Sequence, residues 1–581
     1  MDRAAAVAAF AFAHPFQFVL LSWTVAGAAF VVYWLYHIFI APRFSSLRVL
    51  RGPKPEHPVW GNTRELLEKE PGVAYREWTD EYGGAVRYRS ILGEELLLLT
   101  DTTALNYVLN SHVDEYPKPP VLLENVHMLL GKSVGWADGD AHRRQRRLMA
   151  PAFTPGPLKA WVPMFFNMTY ELRDIFRSKI ETGAVHERAW PSKEAADEYA
   201  EKQVEGEAVI DVTEWMQRLS LDTLGKSALG YDFEAMALKK NGLATSLYAL
   251  FSPSGAPVDG NPAGLLITNI VVFIIRNLFQ RNLLRFSSIG PIKEFYDTLK
   301  TLEEESSKVI QEKIDLAEDD PSARKRDLLS ILTDPAAKGA LSAEELRAQL
   351  KNFVFAGHDT VSATINWTLW WLSTNPEKQE RVRKELRDAR SKAREDGRDE
   401  LTADEMYNLP YLDAVMREVL RLEPTVTTCP RVAKHDDLIP LANPVPSAAD
   451  PSKLLSHVPV KAGQRIEISL FAANMNKAVF GEDVDTFRPE RWLDAEKKIE
   501  GKVGVYSGMM TFLHGQRACI GWKFGMYQMK AILSVLLDDF EFRLREDDLK
   551  VAHRTQMITR PFVVGEEDDG QKLPLRITLA R

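Results

Sequence analysis

Phe512-Leu513-His514-Gly515-Gln516-Arg517-Ala518-Cys519-Ile520-Gly521 is the stretch on which the reading of this chain turns. It leads into an amphipathic segment, Ile520–Leu537, so a loop containing glycine enters a helix. Backbone N–H groups and the positive end of the helix dipole then point at the Cys519 sulfur and favour its thiolate. Gly515 and Gly521 carry no side chain to block a flat ligand. Arg517 can reach an acidic group on such a ligand, and Phe512 can shield the sulfur from water. A lone cysteine in apolar surroundings is more often an inert buried thiol, so its neighbours must decide.

A shielded anionic sulfur beside a planar, acidic ligand is what a haem iron requires as its axial partner. The segment resembles the haem-binding signature of the cytochrome P-450 family, Phe-x-x-Gly-x-Arg-x-Cys-x-Gly, and fills every named position. The resemblance implies haem b held by the Cys519 thiolate, with Phe512, Gly515, Arg517 and Gly521 around it. Such a thiolate pushes electron density onto iron and promotes O–O cleavage.

Further segments follow in the family's order. Ser342 and Glu345 form a capping box, and the helix they start can run to Asn375 before Pro376, roughly 50 Å at about 1.5 Å per residue. From Phe353 to Trp371 it is apolar on most sides, which sends it through the core. At its centre sits Ala356-Gly357-His358-Asp359-Thr360, where Gly, Asp and Thr are mediocre helix formers. A local bulge held by the Thr360 hydroxyl bonding back to a carbonyl would account for them. Alternatively the helix opens there to hold dioxygen, with Asp359 and Thr360 relaying protons. The segment resembles the family's Ala-Gly-x-Asp-Thr oxygen-activation motif, which implies catalytic roles for Ala356, Gly357, Asp359 and Thr360.

Glu418 and Arg421 share one helix face, and alone such a pair contributes little. With Phe487-Arg488-Pro489-Glu490-Arg491-Trp492 they resemble the family's Glu-x-x-Arg helix and Pro-Glu-Arg-Phe/Trp segment. The implied role of Glu418, Arg421 and Arg491 is a structural triad, whose planar guanidinium forks lysine does not reproduce. His142-Arg143-Arg144-Gln145-Arg146-Arg147 has the look of a nucleic-acid patch, although a solvated helix face is commoner. The family's Trp-x-x-x-Arg pattern puts Arg146 at a haem propionate, with His142 in place of the tryptophan. Arg431 matches a further propionate position. The other arginines suit a basic docking surface for an acidic electron donor.

Phe16–Ala41 contains no Asp, Glu, Lys or Arg over 26 residues, against about 20 needed to cross a bilayer core. Ala26-Gly27-Ala28 resembles a signal-peptide cleavage site, but the apolar run continues well past it. Arg43, Arg48, Arg51 and Lys54 follow the run, and the positive-inside rule puts the body in the cytosol. The layout expected is a short lumenal N-terminus (1–15), a transmembrane anchor (16–41), a basic Pro-rich hinge (42–60) and a haem-thiolate catalytic domain (61–581). The protein is then single-pass in the endoplasmic reticulum membrane. A second apolar run, Leu265–Ile275, is followed by Arg276 and is too short to span. A buried helix is the first expectation for it, a surface helix dipping into the bilayer the second.

The chain has 581 residues, 45% of them hydrophobic, and a formal net charge of -8, which argues against disorder and against a dedicated nucleic-acid binder. Two cysteines, Cys429 and Cys519, exclude a disulfide framework and a four-thiolate zinc site. Shorter helices are expected at Gln379–Ala393 and Leu412–Leu422. Strands are expected at Ala85–Tyr88, Leu96–Leu99 and Arg465–Leu470, with a terminal pair near Met557–Val564 and Leu575–Leu579. Glu187–Glu207, Glu318–Arg326, Asn443–Ser452 and Gly565–Lys572 read as surface insertions. The fold class is mainly α with small β-sheets, and the resemblance implies the cytochrome P-450 fold as one large domain.

No Gly-rich dinucleotide fingerprint precedes a helix in a βαβ setting. The resemblance therefore implies electrons from NADPH through a separate diflavin reductase, with cytochrome b5 as a second candidate donor. The favoured reaction is monooxygenation of a lipophilic small molecule. One rival is a haem-thiolate isomerase or dehydratase acting on a pre-formed peroxide, against which Asp359 and Thr360 argue. Another is a non-catalytic haem-binding membrane protein. By analogy with the family the pocket draws on Val121–Val134, Phe353–Thr360, Thr425–Cys429 and Gln556–Ile558, with Cys429 a pocket-side or buried thiol.

Overall fold

The computed structural model describes residues 15–202, 205–251, 262–280, 283–319, 327–333, 341–494 and 503–581. An apolar helix, α1 (Pro15–Leu35), leads through short helical turns to the hairpin of β1 (Ala85–Arg89) and β2 (Glu95–Leu99). Next come α2 (Pro120–Leu130), α3 (Gly139–Met149), α4 (Pro155–Thr182), β3 (Glu207–Asp211), α5 (Val212–Leu224) and α6 (Gly242–Phe251). They are followed by α7 (Pro262–Gln280), α8 (Gly290–Asp319), α9 (Ala343–Ser373), α10 (Pro376–Glu395) and α11 (Pro410–Leu422). After these lie β4 (Thr428–Val432), β5 (Asp437–Pro446), β6 (Leu454–Val460), β7 (Arg465–Ser469) and α12 (Trp522–Asp539). The chain closes with β8 (Phe540–Leu544), β9 (Val551–Gln556), β10 (Ile558–Val563) and β11 (Pro574–Leu579). The mainly helical class with small sheets is as expected.

The capping box forms as read: the Glu345 N–H donates to Ser342 Oγ at 3.1 Å and the Ser342 N–H to the Glu345 carboxylate at 2.8 Å. Pro376 opens α10 rather than extending α9, because a proline lacks only an N–H that the first helical turn does not use. Val354, Ile365, Trp367, Leu369 and Leu372 of α9 are fully buried, enclosed by α5, α8, α11 and α12. A four-stranded sheet runs in the order β1-β2-β7-β4. Its strand β2 pairs antiparallel with β1 and parallel with β7, with Leu97 opposite Ile466. Flanked on both sides, Leu96–Leu99 reads as a continuous apolar run.

Several expectations need correction. Strands β10 and β11 do not pair with each other: β10 folds back on β9 through a tight turn at Met557, whose φ is 66°, and β11 lies between β3 and β8. Glu187–Glu207 includes a helix over Lys193–Lys202 and the start of β3. Asn443–Ser452 ends β5 and turns into β6. Gly565–Lys572 does lie largely at the surface, and only its last residue, Lys572, is fully buried, between Glu566 at 2.5 Å and Asp569 at 2.6 Å. Most of Glu318–Arg326, and residues 1–14 of the expected N-terminal segment, lie outside the described residues.

The second apolar run is not a buried helix. Within α7, Ile267, Ile270, Val271, Phe273 and Ile274 are exposed, while Arg276 turns inward to Glu124 of α2 at 3.0 Å. Apolar periodicity marks which face is greasy and not what covers it. Both α7 and the helical segment Gly27–Phe44 are long and apolar enough to cross a membrane by length and composition.

Glu418, Arg421 and Arg491 do meet. Arg421 Nη2 and Nε donate to the two Glu418 oxygens at 2.8 and 3.1 Å, and Arg491 Nε donates to Oε1 at 2.9 Å. Trp492 Nε1 and the Arg488 N–H complete the carboxylate's shell at 2.9 and 3.1 Å. The remaining guanidinium donors reach Asn474, Met475, Phe480 and Asp483, so this fully buried cluster leaves no arginine nitrogen unused. Glu418→Gln strands two buried cations and should lower the unfolding free energy by about 3–5 kcal/mol. Ser342→Ala should cost only about 1 kcal/mol. Chemical denaturation measures both.

Candidate active site

The cysteine loop is built by its backbone. The Cys519 N–H donates to the Phe512 carbonyl at 2.9 Å and the Ala518 N–H to the Gly515 carbonyl at 3.1 Å. Gly515 has φ +66°, and a Cβ there would come within 2.5 Å of the Leu109 carbonyl oxygen. The glycine is therefore needed for a left-handed turn pressed against neighbouring backbone. Gly521, by contrast, faces open space apart from Phe153, 3.6 Å from its Cβ position. His514, which sequence reasoning passed over, bonds Asn106 at 2.9 Å and accepts the Gly504 N–H at 3.1 Å, pinning the loop to the 102–111 segment. Phe512 stacks beside Trp522 and Tyr506.

Cys519 has accessible surface yet is enclosed enough that burial raises its pKa, more than the Gly521 N–H and Arg146 lower it. Desolvation works against the thiolate, and the Gly521 N–H and Arg146 work for it. A metal cation at the sulfur would deprotonate it.

Around the loop gather more cations than anions, Arg431 buried and Lys118, Arg146 and Arg517 half-buried. Arg517 pairs with Asp138 at 2.7 Å and donates to the Ala137 carbonyl at 3.0 Å. Lys118 donates to the same carbonyl at 2.9 Å and stands 3.8 Å from Asp138. Burial lowers its pKa to about 8, and Arg517 and Arg431 push in the same direction against Asp138. Arg431 donates to the Pro430 carbonyl at 2.7 Å and lies 3.0 Å from the Cys429 sulfur. Arg146 reaches the Ala518 carbonyl at 2.7 Å, on the cysteine loop itself. Burial first, then Arg517, Lys118 and Arg146, lower His142 to about 3, so it is a neutral imidazole. Among the described residues Asp138 is the one carboxylate ion-paired with Lys118, Arg146, Arg431 or Arg517, which leaves room for an anionic ligand, and the two propionates of a haem fit that surplus. Lys118 was not singled out from sequence, since a lysine beside Pro117 and Pro119 carries no motif.

Helix α9 runs unbroken through Ala356–Thr360, so the expected opening is not seen. The Thr360 hydroxyl donates to the Ala356 carbonyl at 2.7 Å. A Cβ on Gly357 would fall 2.7 Å from Leu224 Cδ1, so this glycine lets α5 approach α9. Ala356 is exposed although the helix is buried before and after it. Phe153 links the two halves of the site, lying against Gly521 and within 6.1 Å of the Phe353 ring. Asp359 accepts from Arg560 Nη2 of β10 and from Gln217 at 3.4 Å. Arg560 was also missed, because nothing local marks it.

A cavity of about 1420 Å³ lies between the β9–β10 hairpin, α5, α6 and the 66–75 segment. Of the expected lining, Thr427 and Thr428 contribute; residues 121–134, 353–360 and 556–558 do not. The hairpin instead presents Ala552–Thr555 and Phe562, opposite Gln217 and Tyr248. In the basic helix, Arg143 pairs with Asp114 and Asp140, both at 2.7 Å, and Arg144 pairs with Glu345, leaving less free charge than the sequence suggested.

The cytochrome P-450 family profile matches residues 51–563. A protein named cytochrome P-450 monooxygenase 128 from Postia placenta is 30% identical over 573 residues, covering 95% of this chain and 96% of its own. A ganoderic acid synthetase of Ganoderma lucidum is 30% identical over 541 residues, 90% of this chain and 92% of its own. A cytochrome P-450 monooxygenase of Ampulloclitocybe clavipes is 28% identical over 537 residues, 91% and 92% of the two chains. A family match across most of the length, together with the cysteine loop and helix already described, makes this chain a member of the cytochrome P-450 family, a haem-thiolate monooxygenase of fungal type.

Proposed function

We propose that this protein inserts one atom of dioxygen into a lipophilic small molecule, using electrons from NADPH through a separate diflavin reductase. The observation that carries the reading is Cys519, exposed on a loop closed by backbone hydrogen bonds, beside a surplus of half-buried and buried cations. Cys519 would hold the iron, and Lys118, Arg146, Arg431, Arg517 and neutral His142 would receive the propionates. When bound, the haem supplies dioxygen binding and reductive O–O cleavage. Phe512, Tyr506 and Trp522 keep the cysteine loop in apolar surroundings. The Thr360 hydroxyl, now spent on the Ala356 carbonyl, can turn to donate its proton away from the helix. Asp359, one residue earlier, replaces that proton.

Residues 16–41 would anchor the protein in the endoplasmic reticulum membrane, with 42–60 as hinge and 61–581 as the cytosolic catalytic domain. The exposed apolar face of α7 supports a second contact with lipid. Arg147, exposed on α3, would contribute to reductase docking, with cytochrome b5 as the alternative donor.

Two variants test the assignment. Cys519→Ala should abolish the red-shifted carbon monoxide band of the reduced protein; a retained band would refute the ligand. Thr360→Ala should keep that band but cut electron flow to water and product roughly ten-fold or more, the deficit leaving as hydrogen peroxide. An unchanged peroxide yield per NADPH would count against the relay.

A further inference from the structure

Arg560 of β10 donates through Nη2 to Asp359 of α9, and both side chains are enclosed, 3% and 5% exposed. The other Asp359 oxygen receives Gln217 of α5 at 3.4 Å. Tyr248 of α6 and His358 complete the surroundings, their rings edge-on at 5.3 Å. Arg560 differs from the arginines of the buried triad in one respect. Arg421 and Arg491 use every guanidinium nitrogen, whereas Arg560 Nε and Nη1 find no partner among the described residues. A buried guanidinium with unpaired donors carries a desolvation cost that one ion pair does not offset. Stability alone would favour hydrocarbon here, so the pair calls for a role other than holding the fold.

The hairpin supplies one. Its far end is clamped: His553 lies between Glu70 at 3.1 Å and Glu423 at 2.7 Å and stacks on Trp367 at 4.3 Å. Two residues beyond Arg560 on the same strand face, Phe562 lines the 1420 Å³ cavity, as do Gln217 and Tyr248. We propose that Arg560 is a positioning residue that holds the Asp359 carboxylate by a single ion pair and so ties the proton-delivering acid to the β9–β10 hairpin that walls the 1420 Å³ cavity. This rests on the reading of Asp359 as that acid. Within it, the hairpin sets where the carboxylate points, and the single contact lets it be released without dismantling the wall.

The test uses the full-length holoenzyme with its reductase, NADPH and dioxygen and no added substrate, in wild type, Arg560→Gln, Arg560→Lys, Asp359→Asn and the Arg560→Gln/Asp359→Asn double variant. Arg560→Gln should retain the carbon monoxide band while electron flow to water falls about ten-fold, with more peroxide per NADPH and a larger solvent isotope effect. Arg560→Lys, which keeps the charge, should recover part of the loss. The Tm drop of the double variant should be smaller than the sum of the single drops, since the two side chains are lost as a pair. Wild-type peroxide yield in Arg560→Gln, or additive Tm shifts, would overturn the inference. If Asp359→Asn itself leaves the peroxide yield unchanged, the relay reading falls and the inference with it. If Asp359→Asn leaks peroxide and Arg560→Gln does not, only the inference fails. Should Arg560→Gln not retain haem, Arg560→Lys decides, a wild-type peroxide yield counting against.

Discussion

The hydrogen bond from the Cys519 N–H to the Phe512 carbonyl closes the loop on which the site depends. Closing it requires Gly515 in a left-handed conformation against the Leu109 carbonyl, and it sets Cys519 just ahead of α12. His514 and Asn106 hold one flank, and Phe512 rests on Trp522 and Tyr506 at the other. Behind these the Glu418 cluster fixes the chain around residues 474–492 and thus the approach to the loop. A thiol so placed is desolvated and favours its neutral form, so the loop supplies geometry and leaves the charge to whatever metal it meets.

Buried charge in this protein is of two kinds. Where every donor and acceptor is matched, as in Glu418 with Arg421 and Arg491 or Lys572 with Glu566 and Asp569, the charges lock local geometry. Where they are unmatched, as in the cations near Asp138 or the spare donors of Arg560, the imbalance marks places where a ligand or a moving group is accommodated. That contrast separates scaffold from site more sharply than burial does, since Arg560 is as enclosed as Arg421 and Arg491.

The long helix α9 joins the two. Its centre carries Asp359 and Thr360, its flank receives Leu224 against Gly357, and its C-terminal half packs Trp367 beneath His553 of the hairpin. The helix stays regular because Thr360 bonds back to its own backbone. Any opening there would have to break that bond first.

Much was legible in the sequence where a function is written in consecutive residues. The cysteine loop, the capped helix, the Glu418–Arg421 helix and the apolar N-terminal segment each declare themselves through local spacing, since backbone geometry and capping act within a few residues. Contacts formed by remote segments were not legible. Arg560 meets Asp359 across 201 positions, Lys118 joins Arg517 without a motif, and α7 shows its apolar face outward rather than in. Strands β10 and β11 took different partners because a turn at Met557 favours the nearest strand. Local sequence determined which elements form and which residues carry chemistry. Tertiary packing alone decided which charges face one another and which face of a helix is covered, because those energies depend on neighbours brought together only by the folded chain.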